Sequence, residues 1–351
     1  MLLPLAEVPR TVCILRLSAI GDTCHVVPVL RTMQQAWPAT RFTWIIAATE
    51  SRLMRLIEDV EFIIVDKKAG AGGRAAVTRA LAGRSFDVLL HMQLALRASL
   101  IAREVRAPIK LGFDRARARE LQWLFTNARI AARSREHVLD AFFGFAAALG
   151  LTTRLLRWDL PLPPGALEYA RALIPDEQPT LLISPCSSHV ARNWRPEQCA
   201  AVAAHAVRRH GMRVILSGGT SELERATGAQ IEAAAGVAVT NQIGRDTLPE
   251  LLAVLSRARV LLSPDSGPVH MATMVGTPVL GLYAATNPAR SGPYLSQEWC
   301  VNAYGAAARL YRHREPEELP WTQKIEVPGV MDLIRVDEVT AKLDQLLGSR
   351  P

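Results

Sequence analysis

In the stretch Ser263-Pro264-Asp265-Ser266-Gly267-Pro268-Val269-His270-Met271-Ala272, a polar turn separates two apolar segments, and this pattern indicates the fold class. The preceding run Val260-Leu261-Leu262 predicts a buried strand, and the apolar residues after the turn predict a helix. In an open α/β sheet, ligands bind beyond the carboxyl ends of the strands, where helix N-termini attract anions. The sequence therefore predicts an α/β fold with an anion-binding turn at this position.

The side chains of this turn suit a phosphorylated ligand. Asp265 can accept hydrogen bonds from hydroxyl groups, while Ser266 and the backbone of Gly267 can donate to a phosphate. His270 follows one helical turn later and can reach the same anion. On residue types alone, the alternative is an Asp or Ser that caps a helix, with Gly making the turn.

The turn resembles the donor-binding signature D-[ST]-G-x-x-H-x-A of the lipopolysaccharide heptosyltransferases, glycosyltransferase family 9. Four residues match it position by position, and the resemblance implies that they bind the donor: Asp265, Ser266, Gly267 and His270. It also implies a GT-B architecture, in which two Rossmann-like, doubly wound α/β domains face a cleft. In that architecture the N-terminal domain takes the acceptor and the C-terminal domain takes the nucleotide sugar.

The pattern of the whole chain agrees with two domains. A chain of 351 residues is too long for a typical single core. Strand and helix patterns alternate in both halves, which predicts parallel sheets. The Pro-rich segment 158–165 is the best linker candidate. We therefore expect domains at 1–160 and 166–330, followed at 331–351 by a helix that, by the resemblance, crosses back to the N-terminal domain.

Two local expectations concern the N-terminal half. Thr11–Leu17 predicts a central strand that leads through the turn 18–22 into a helix beginning near Val26. The Gly-rich segment Ala69–Gly73 predicts a mobile loop. The dinucleotide fingerprint G-x-G-x-x-G does not follow any predicted strand.

The composition is that of an ordinary globular protein, with 49% hydrophobic and 21% charged residues. No apolar run reaches the roughly 18 residues needed to span a bilayer. The N-terminus lacks the basic region of a signal peptide, so we expect a cytoplasmic protein. The cysteines are odd in number and form no C-x-x-C pair, so we expect reduced, buried thiols rather than disulfides or zinc ligands. They are Cys13, Cys24, Cys186, Cys199 and Cys300.

The net charge of +8 is unevenly distributed, since residues 1–160 carry +9 and the remainder carries −1. This distribution favours an anionic partner for the N-terminal half, such as a phosphorylated lipid, a nucleic acid or an acidic sugar. A solvated basic surface without a partner is the alternative. No helix-turn-helix, zinc or RNA-recognition signature is present, so we do not expect nucleic acid as a partner.

Basic residues gather between 109 and 140. Arginine is well suited to bidentate capture of carboxylate or phosphate. We therefore expect this cluster to bind the acid groups of the acceptor, with a solvated helix face as the alternative. The candidate residues are Arg115, Arg117, Arg119 and His137.

Inverting glycosyl transfer needs a base that deprotonates the attacking hydroxyl group. Asp22 lies on the turn between the first strand and the first helix. Its S-x-x-G-D context, which begins at Ser18 and includes Gly21, resembles the family motif whose aspartate is the proposed base. Ser18 and Gly21 are accordingly candidates for acceptor binding. The alternative is that Asp22 only caps the helix.

The resemblance supplies the remaining donor-site candidates. Ser187, Ser188 and Arg192 match a family segment that contacts the diphosphate, although Arg192 stands where lysine is usual. Glu222 resembles a glutamate that meets the nucleotide ribose, with Thr220 as a competing choice. GT-B enzymes generally act without a metal, and no Asp-x-Asp pair stands out, so we expect no metal or cofactor: the ADP-sugar is a substrate.

These observations predict an inverting glycosyltransferase that moves heptose from ADP-heptose to the inner core of lipopolysaccharide, its Kdo and heptose region. The expected partners are ADP-heptose, an anionic lipid-linked core oligosaccharide and, by peripheral contact, the inner face of the inner membrane. Two alternatives remain open. One is a GT-B enzyme for another nucleotide sugar, including a sugar-nucleotide epimerase that uses UDP. The other is a non-catalytic nucleotide-sugar-binding protein.

Overall fold

A computed structural model describes residues 3–349. The chain divides into two compact units, Met1–Pro161 and Leu162–Pro351. The boundary lies within the Pro-rich segment 158–165, where proline rings limit the regular structures the backbone can adopt. Within residues 3–349, every helix is too short or too polar to cross a membrane.

The N-terminal unit contains one six-stranded sheet in which every neighbouring pair is parallel, with the strand order β3-β2-β1-β4-β5-β6. The strands are β1 Thr11–Leu15, β2 Arg41–Ala47, β3 Val60–Val65, β4 Val88–His91, β5 Ile109–Gly112 and β6 Ala128–Arg129; the helices are α1 Ile20–Ala36, α2 Ala48–Met54, α3 Gly70–Leu81, α4 Leu96–Glu104 and α5 Val138–Ala148.

The C-terminal unit contains a second six-stranded parallel sheet, with the order β12-β11-β10-β7-β8-β9. The strands are β7 Thr180–Ile183, β8 Arg213–Leu216, β9 Thr240–Asn241, β10 Val260–Pro264, β11 Val279–Tyr283 and β12 Val301–Asn302; the helices are α6 Pro164–Leu173, α7 Pro196–His210, α8 Glu222–Ala234, α9 Leu248–Arg257, α10 Gly267–Met274, α11 Pro288–Ser291, α12 Tyr304–Arg312 and α13 Val336–Gly348.

Counted from its own first strand, each sheet has the same order, in which the first strand lies beside the fourth. The chain winds outward from the first strand in one direction and from the fourth in the other. Ligands of doubly wound sheets bind beyond the carboxyl ends of these two strands. In the N-terminal unit they are β1 and β4, and in the C-terminal unit they are β7 and β10. The predicted doubly wound α/β fold is confirmed for both units.

The first helix is longer at its N-terminus than the sequence indicated. It begins at Ile20 rather than near Val26 and contains Pro28 in its interior. The carboxylate of Asp22 accepts a hydrogen bond from the backbone N–H of Ala19 at 3.3 Å, which supports this early start. The strand before it correspondingly ends at Leu15.

The Gly-rich segment 69–73 forms the start of α3 and is not a loop. The N–H groups of Gly72 and Gly73 donate to the carbonyl of Ala69 at 3.0 and 3.3 Å. A Cβ atom on Gly73 would collide with the carbonyl oxygen of Asp66, so only glycine fits there. The expectation of a mobile loop was wrong, because glycine here permits a close backbone approach.

The last helix belongs to the C-terminal unit. Val339, Leu343 and Leu346 are fully buried in the hydrophobic core of that unit. The helix α13 contacts α7, β11 and β12. The apolar face of α13 completes the core of the unit to which it is joined in sequence, and the crossing of this helix back to the N-terminal domain stays a prediction.

Candidate active site

Two turns meet beyond the carboxyl ends of β7 and β10. The N–H of Ser184 donates to the carbonyl of Leu262 at 3.0 Å. The hydroxyl of Ser263 donates to the carbonyl of Ser184 at 2.9 Å and lies 2.8 Å from the hydroxyl of Ser266. These bonds hold the predicted donor turn after β10 against the turn after β7.

Arg192 joins this pair of turns to a third segment. It ends the short 3₁₀ turn Val190–Arg192, and its Nη1 donates to Oδ2 of Asp265 at 3.2 Å. Its Nε and Nη2 donate to Oε1 of Glu326 at 2.8 and 2.6 Å. A guanidinium group has five N–H donors, so two remain for a ligand. Arginine can therefore hold two carboxylates here and still face a phosphate, which a lysine ammonium could do only with its last proton.

Glu326 is a site residue that the sequence analysis missed. Its position is set by a backbone hydrogen bond from Ile325 to the carbonyl of Ala285 at 2.8 Å. Partial burial raises the pKa of Glu326, but the hydrogen bonds and charge of Arg192, together with the charges of Lys324 and His189, hold that pKa below its usual value. Nζ of Lys324 and Nε2 of His189 lie 4.0 and 3.7 Å from the carboxylate. No local motif marks this glutamate, because its partner is distant in sequence.

Other expected donor residues lie on the same turns. The hydroxyl oxygen of Ser187 is buried and has no hydrogen-bond partner among the described residues. Ser188 is exposed next to it, and Ser266 and Gly267 begin α10. His270 is buried on the first turn of that helix. A buried hydroxyl without a partner costs free energy unless a ligand satisfies it, so Ser187 is well placed to meet a ligand.

Glu222 occupies the first position of α8, on the turn after β8. It is exposed, as are Thr220 and Ser221. A capping box begins this helix: the N–H of Ser221 donates to Oε2 of Glu224 and the N–H of Glu224 donates to Oγ of Ser221, both at 3.3 Å. Glu222 takes no part in that box, so its carboxylate is available to a nucleotide.

In the N-terminal unit, Asp22 forms an ion pair with Arg16. Arg16 is itself fixed, because its Nη1 donates to the carbonyl of Met92 at 2.6 Å and its guanidinium lies 5.2 Å from the centre of the Phe142 ring. The Asp22 side chain is 32% exposed, so solvent and ligands can reach it. The carboxylate of Asp22 is therefore held in place by Arg16 and by the hydrogen bond that it accepts from the Ala19 N–H, and it remains accessible to a ligand.

The turn after β4 is hydrogen-bonded to the segment that leads to Asp22. Oε1 of Gln93 accepts the N–H groups of Leu17 and Ser18 at 3.1 and 3.3 Å. Gly21 is buried in the first turn of α1. Sequence reasoning missed both Gln93 and Arg16. The signal for Arg16 was a single charged residue within the apolar run 12–17.

The four basic residues that are expected to bind the acceptor differ in their environments. Arg117 forms ion pairs with Asp114 and Glu136 and donates from Nη2 to the carbonyl of Ala131 at 2.9 Å. The charge of Arg117 therefore stabilises the folded segment by pairing with these two carboxylates. Arg115 is exposed and stacks over Trp123, with its Cζ 4.1 Å from the ring centre.

Arg119 is exposed close to this stack in sequence. His137 is the N-cap of α5, where its Nδ1 accepts the N–H of Leu139 at 3.1 Å. Its ring meets that of His25 edge-on at 5.3 Å. A histidine that accepts at Nδ1 can present N–H only at Nε2 while it is neutral, so any contact of His137 with an acceptor runs through that nitrogen.

The sequence model of glycosyltransferase family 9 (heptosyltransferase) matches residues 74–320. The chain belongs to this family. Its relatives include the lipopolysaccharide core heptosyltransferase OpsX of Haemophilus influenzae, which is 38% identical over 97% of this chain and 98% of its own length. As a member of family 9, the protein is a glycosyltransferase.

Solved structures of family 9 share the fold. A glycosyltransferase of Veillonella parvula aligns with a TM-score of 0.78 at 21% identity, covering 97% of this chain and 98% of its own. The Escherichia coli heptosyltransferase WaaC with ADP aligns with a TM-score of 0.73 at 19% identity, covering 96% and 99%. At these identities the likeness concerns the fold, and it confirms the GT-B class.

Proposed function

We propose that this family 9 enzyme transfers heptose, with inversion, from ADP-heptose to the inner core of lipopolysaccharide. The observation that carries the proposal is the arrangement of Ser187, Arg192 and Asp265 at the carboxyl ends of β7 and β10. The names of the relatives support the substrate class, since one is a lipopolysaccharide core heptosyltransferase and another was solved with ADP.

The donor is proposed to bind the C-terminal unit. The two remaining N–H groups of Arg192, the hydroxyls of Ser187 and Ser188, and the N-terminus of α10 are the donors to the diphosphate. His270 adds a further donor from the first turn of α10. Glu222 is proposed to accept from the ribose hydroxyls, because carboxylate oxygens are acceptors for such groups.

Asp22 is proposed to act as the general base. The acceptor oxygen attacks the anomeric carbon of heptose, the bond from that carbon to the diphosphate oxygen breaks, and ADP leaves with the electron pair. The proton of the attacking hydroxyl passes to Asp22. Arg16 keeps the carboxylate oriented during this step. The guanidinium and backbone donors supply the positive charge needed by the departing diphosphate, so the proposal requires no metal.

The acceptor is proposed to be the anionic core oligosaccharide on its lipid anchor. The excess positive charge of residues 1–160 favours such a substrate. Arg115, Arg119 and Nε2 of His137 are the proposed contacts, and Arg117 is proposed to contribute mainly by holding the segment in place. Since the acceptor is anchored in lipid, the enzyme would act on it at the inner face of the inner membrane, by peripheral contact.

The proposal is tested by incubating the enzyme with ADP-heptose and a series of truncated core acceptors, and measuring product masses. We expect the mass of one heptose to be added to an inner-core acceptor, with no product from UDP-sugars. Asp22→Asn should lower kcat by about 10²–10⁴, the usual contribution of a general base, while ADP affinity and melting temperature stay near wild type.

A matched control is Asp87→Asn. Asp87 accepts the N–H groups of Arg10 and Thr11 at 2.7 and 2.8 Å, at the amino end of β1. This variant should lose stability but keep the kcat of the folded enzyme. An Asp22→Asn enzyme that turned over at the wild-type rate would assign Asp22 to the helix cap alone and refute its role as base.

A further inference from the structure

Three metal-binding side chains converge where α7 ends against α13. Nε2 of His205 and Nε2 of His210 lie 2.7 and 2.6 Å from the same oxygen, Oδ1 of Asp344. The two imidazole rings are 5.5 Å apart between centres. All three potential ligand atoms lie within 4.8 Å of one another. We propose that this His-His-Asp cluster binds a divalent transition-metal ion of the zinc type.

The chemistry of the cluster suits such an ion. Two imidazole nitrogens and one carboxylate oxygen are common ligands of zinc, nickel, cobalt and copper, and three protein ligands leave a position for water. Bonds of about 2.0–2.2 Å would place tetrahedral ligand atoms roughly 3.3 Å apart. The present separations are shorter by about 0.6 Å. The Asp344 side chain is 42% exposed, so a small rotation can open the cluster.

The backbone beneath the cluster is well fixed. Val202, Ala203 and Ala206 of α7 are fully buried, and so are Leu343 and Leu346 on either side of Asp344. The two helices that supply the ligands are therefore packed together through the hydrophobic core. A pre-positioned ligand set binds with a smaller entropic cost than one that must assemble.

The charges in the cluster also favour a cation. Partial burial raises the pKa of Asp344, but the hydrogen bonds from His205 and His210 outweigh it and hold that pKa below its usual value. The carboxylate is therefore ionised at neutral pH.

The site would be structural rather than catalytic. The helix α7 begins after the donor turns and ends immediately before β8, so its C-terminus lies at the amino edge of the parallel sheet. The proposed donor site lies at the carboxyl edge. A metal bound here would connect α13 to α7 and stabilise the C-terminal helix.

The described cysteines do not compete for the metal. All five are buried. Burial raises the pKa of Cys199 and of Cys300 to about 12 and raises that of Cys13 and Cys24 further. Because these thiols are buried away from solvent, metal titrations should report the histidine cluster.

The experiment is calorimetric titration of the chelator-treated, tag-free enzyme with Zn²⁺ at pH 7.5. We expect one ion per chain with micromolar affinity and a melting temperature raised on the order of 5 °C at saturation. Co²⁺ should give the visible absorption of a tetrahedral site.

Variants assign the binding to the cluster. His205→Gln, His210→Gln and Asp344→Asn should each weaken Zn²⁺ binding by tenfold or more, and His313→Asn, at an exposed histidine on the turn after α12, should not. Circular dichroism checks that each variant is folded. Wild-type enzyme that takes up no stoichiometric Zn²⁺ at millimolar concentration would overturn the proposal, as would folded cluster variants that keep wild-type affinity.

Discussion

Arg192 donates from both Nε and Nη2 to one carboxylate oxygen of Glu326, which lies 134 residues further along the chain. The remaining nitrogen contacts Asp265, so the guanidinium plane is fixed before any ligand arrives. Arginine in place of the family's usual lysine is therefore accompanied by a carboxylate that orients it. At the proposed diphosphate site, a guanidinium that is already oriented should bind more strongly than a mobile one.

Two substitutions of Glu326 distinguish its effect on the orientation of the Arg192 guanidinium from the effect of its negative charge. Glu326→Ala removes the acceptor, so Arg192 gains rotational freedom and ADP should bind about tenfold more weakly. Glu326→Gln keeps a carbonyl acceptor and removes one negative charge near the diphosphate, so ADP should bind at least as tightly as to wild type. Calorimetry with ADP measures both constants.

The exposed ion pair of Arg195 with Asp332 provides the control for this prediction. Exposed pairs contribute little, and Asp332→Ala should leave ADP affinity unchanged. If Glu326→Ala also bound ADP with wild-type affinity, Glu326 would have no positioning role.

Arg115 and Arg117 should respond to substitution in different ways. Arg117→Ala deprives Asp114 and Glu136 of their shared cation and should lower the free energy of unfolding by about 2–3 kcal/mol, since both carboxylates are largely buried. Arg115→Ala removes only a stacking contact worth about 0.5–1 kcal/mol. It should instead raise the acceptor KM, with the larger effect at low salt.

Urea unfolding and acceptor kinetics distinguish the two variants. The opposite pattern, with a stable Arg117→Ala enzyme and an Arg115→Ala enzyme of normal acceptor KM, would show that the basic segment does not bind the acceptor through Arg115.

His91 should make the protein sensitive to acid. Burial, together with the charges of Lys110 and Arg16, lowers the pKa of His91 to about 3. Between pH 6.5 and pH 3 the unfolded chain takes up a proton at this position and the folded chain does not. Stability is therefore complete above about pH 6.5 and falls as the pH decreases, by at most about 1.4 kcal/mol per pH unit.

His91→Gln should remove this part of the pH dependence while keeping a hydrogen bond to Ser99, now at 3.0 Å from Nε2. Urea unfolding at a series of pH values measures the slope. His313→Asn, at an exposed histidine, serves as the control. An unchanged slope in His91→Gln would mean that other groups govern acid unfolding.

Gly281 should not tolerate a side chain. A Cβ atom there would lie 2.6 Å from Cε2 of Tyr283 and 3.1 Å from Sγ of Cys300. The Tyr283 ring is fully buried at the end of β11 and cannot move aside without cost. Gly281→Ala should therefore destabilise the protein by about 1–3 kcal/mol, as overpacking does.

Gly165→Ala is the matched control, because nothing lies within 4 Å of a Cβ at this position in the first turn of α6. It should stabilise the protein by about 0.4–1 kcal/mol. The melting temperatures of Gly281→Ala and Gly165→Ala test this prediction. Equal changes relative to wild type would contradict the argument that a side chain at Gly281 overpacks the core.

The fold was largely predictable from sequence, because buried parallel strands consist of short runs of apolar residues. The runs Thr11–Leu17 and Val260-Leu261-Leu262 were predicted to be strands, and the structure has strands at Thr11–Leu15 and Val260–Pro264. The glycine-rich start of the helix Gly70–Leu81 was predicted to be a loop, since glycine usually signals a loop, and only the approach of Gly73 to Asp66 explains glycine here. The core against which α13 packs depends on contacts in three dimensions, and the periodicity of its apolar residues does not specify that core.

The site was predictable where a motif is continuous and not where it is assembled from distant segments. The turn at Asp265–His270 could be identified directly. Glu326 and Gln93 could not, because each acts on a partner in a separate element. The ion pairs of Arg117 could not be predicted either: its charge is visible in the sequence, but its contacts with Asp114 and Glu136 depend on the fold.

The shared strand order of the two sheets has a consequence for engineering. Each unit builds its crevice from the ends of its own first and fourth strands, with its own core beneath it. On the proposed division of donor and acceptor between the units, we expect an exchange of residues 162–349 with those of a relative to alter the preference for the sugar nucleotide and to leave the preference for the acceptor unchanged. Hybrid enzymes made by joining relatives within the Pro-rich segment 158–165 are the natural form of such an exchange.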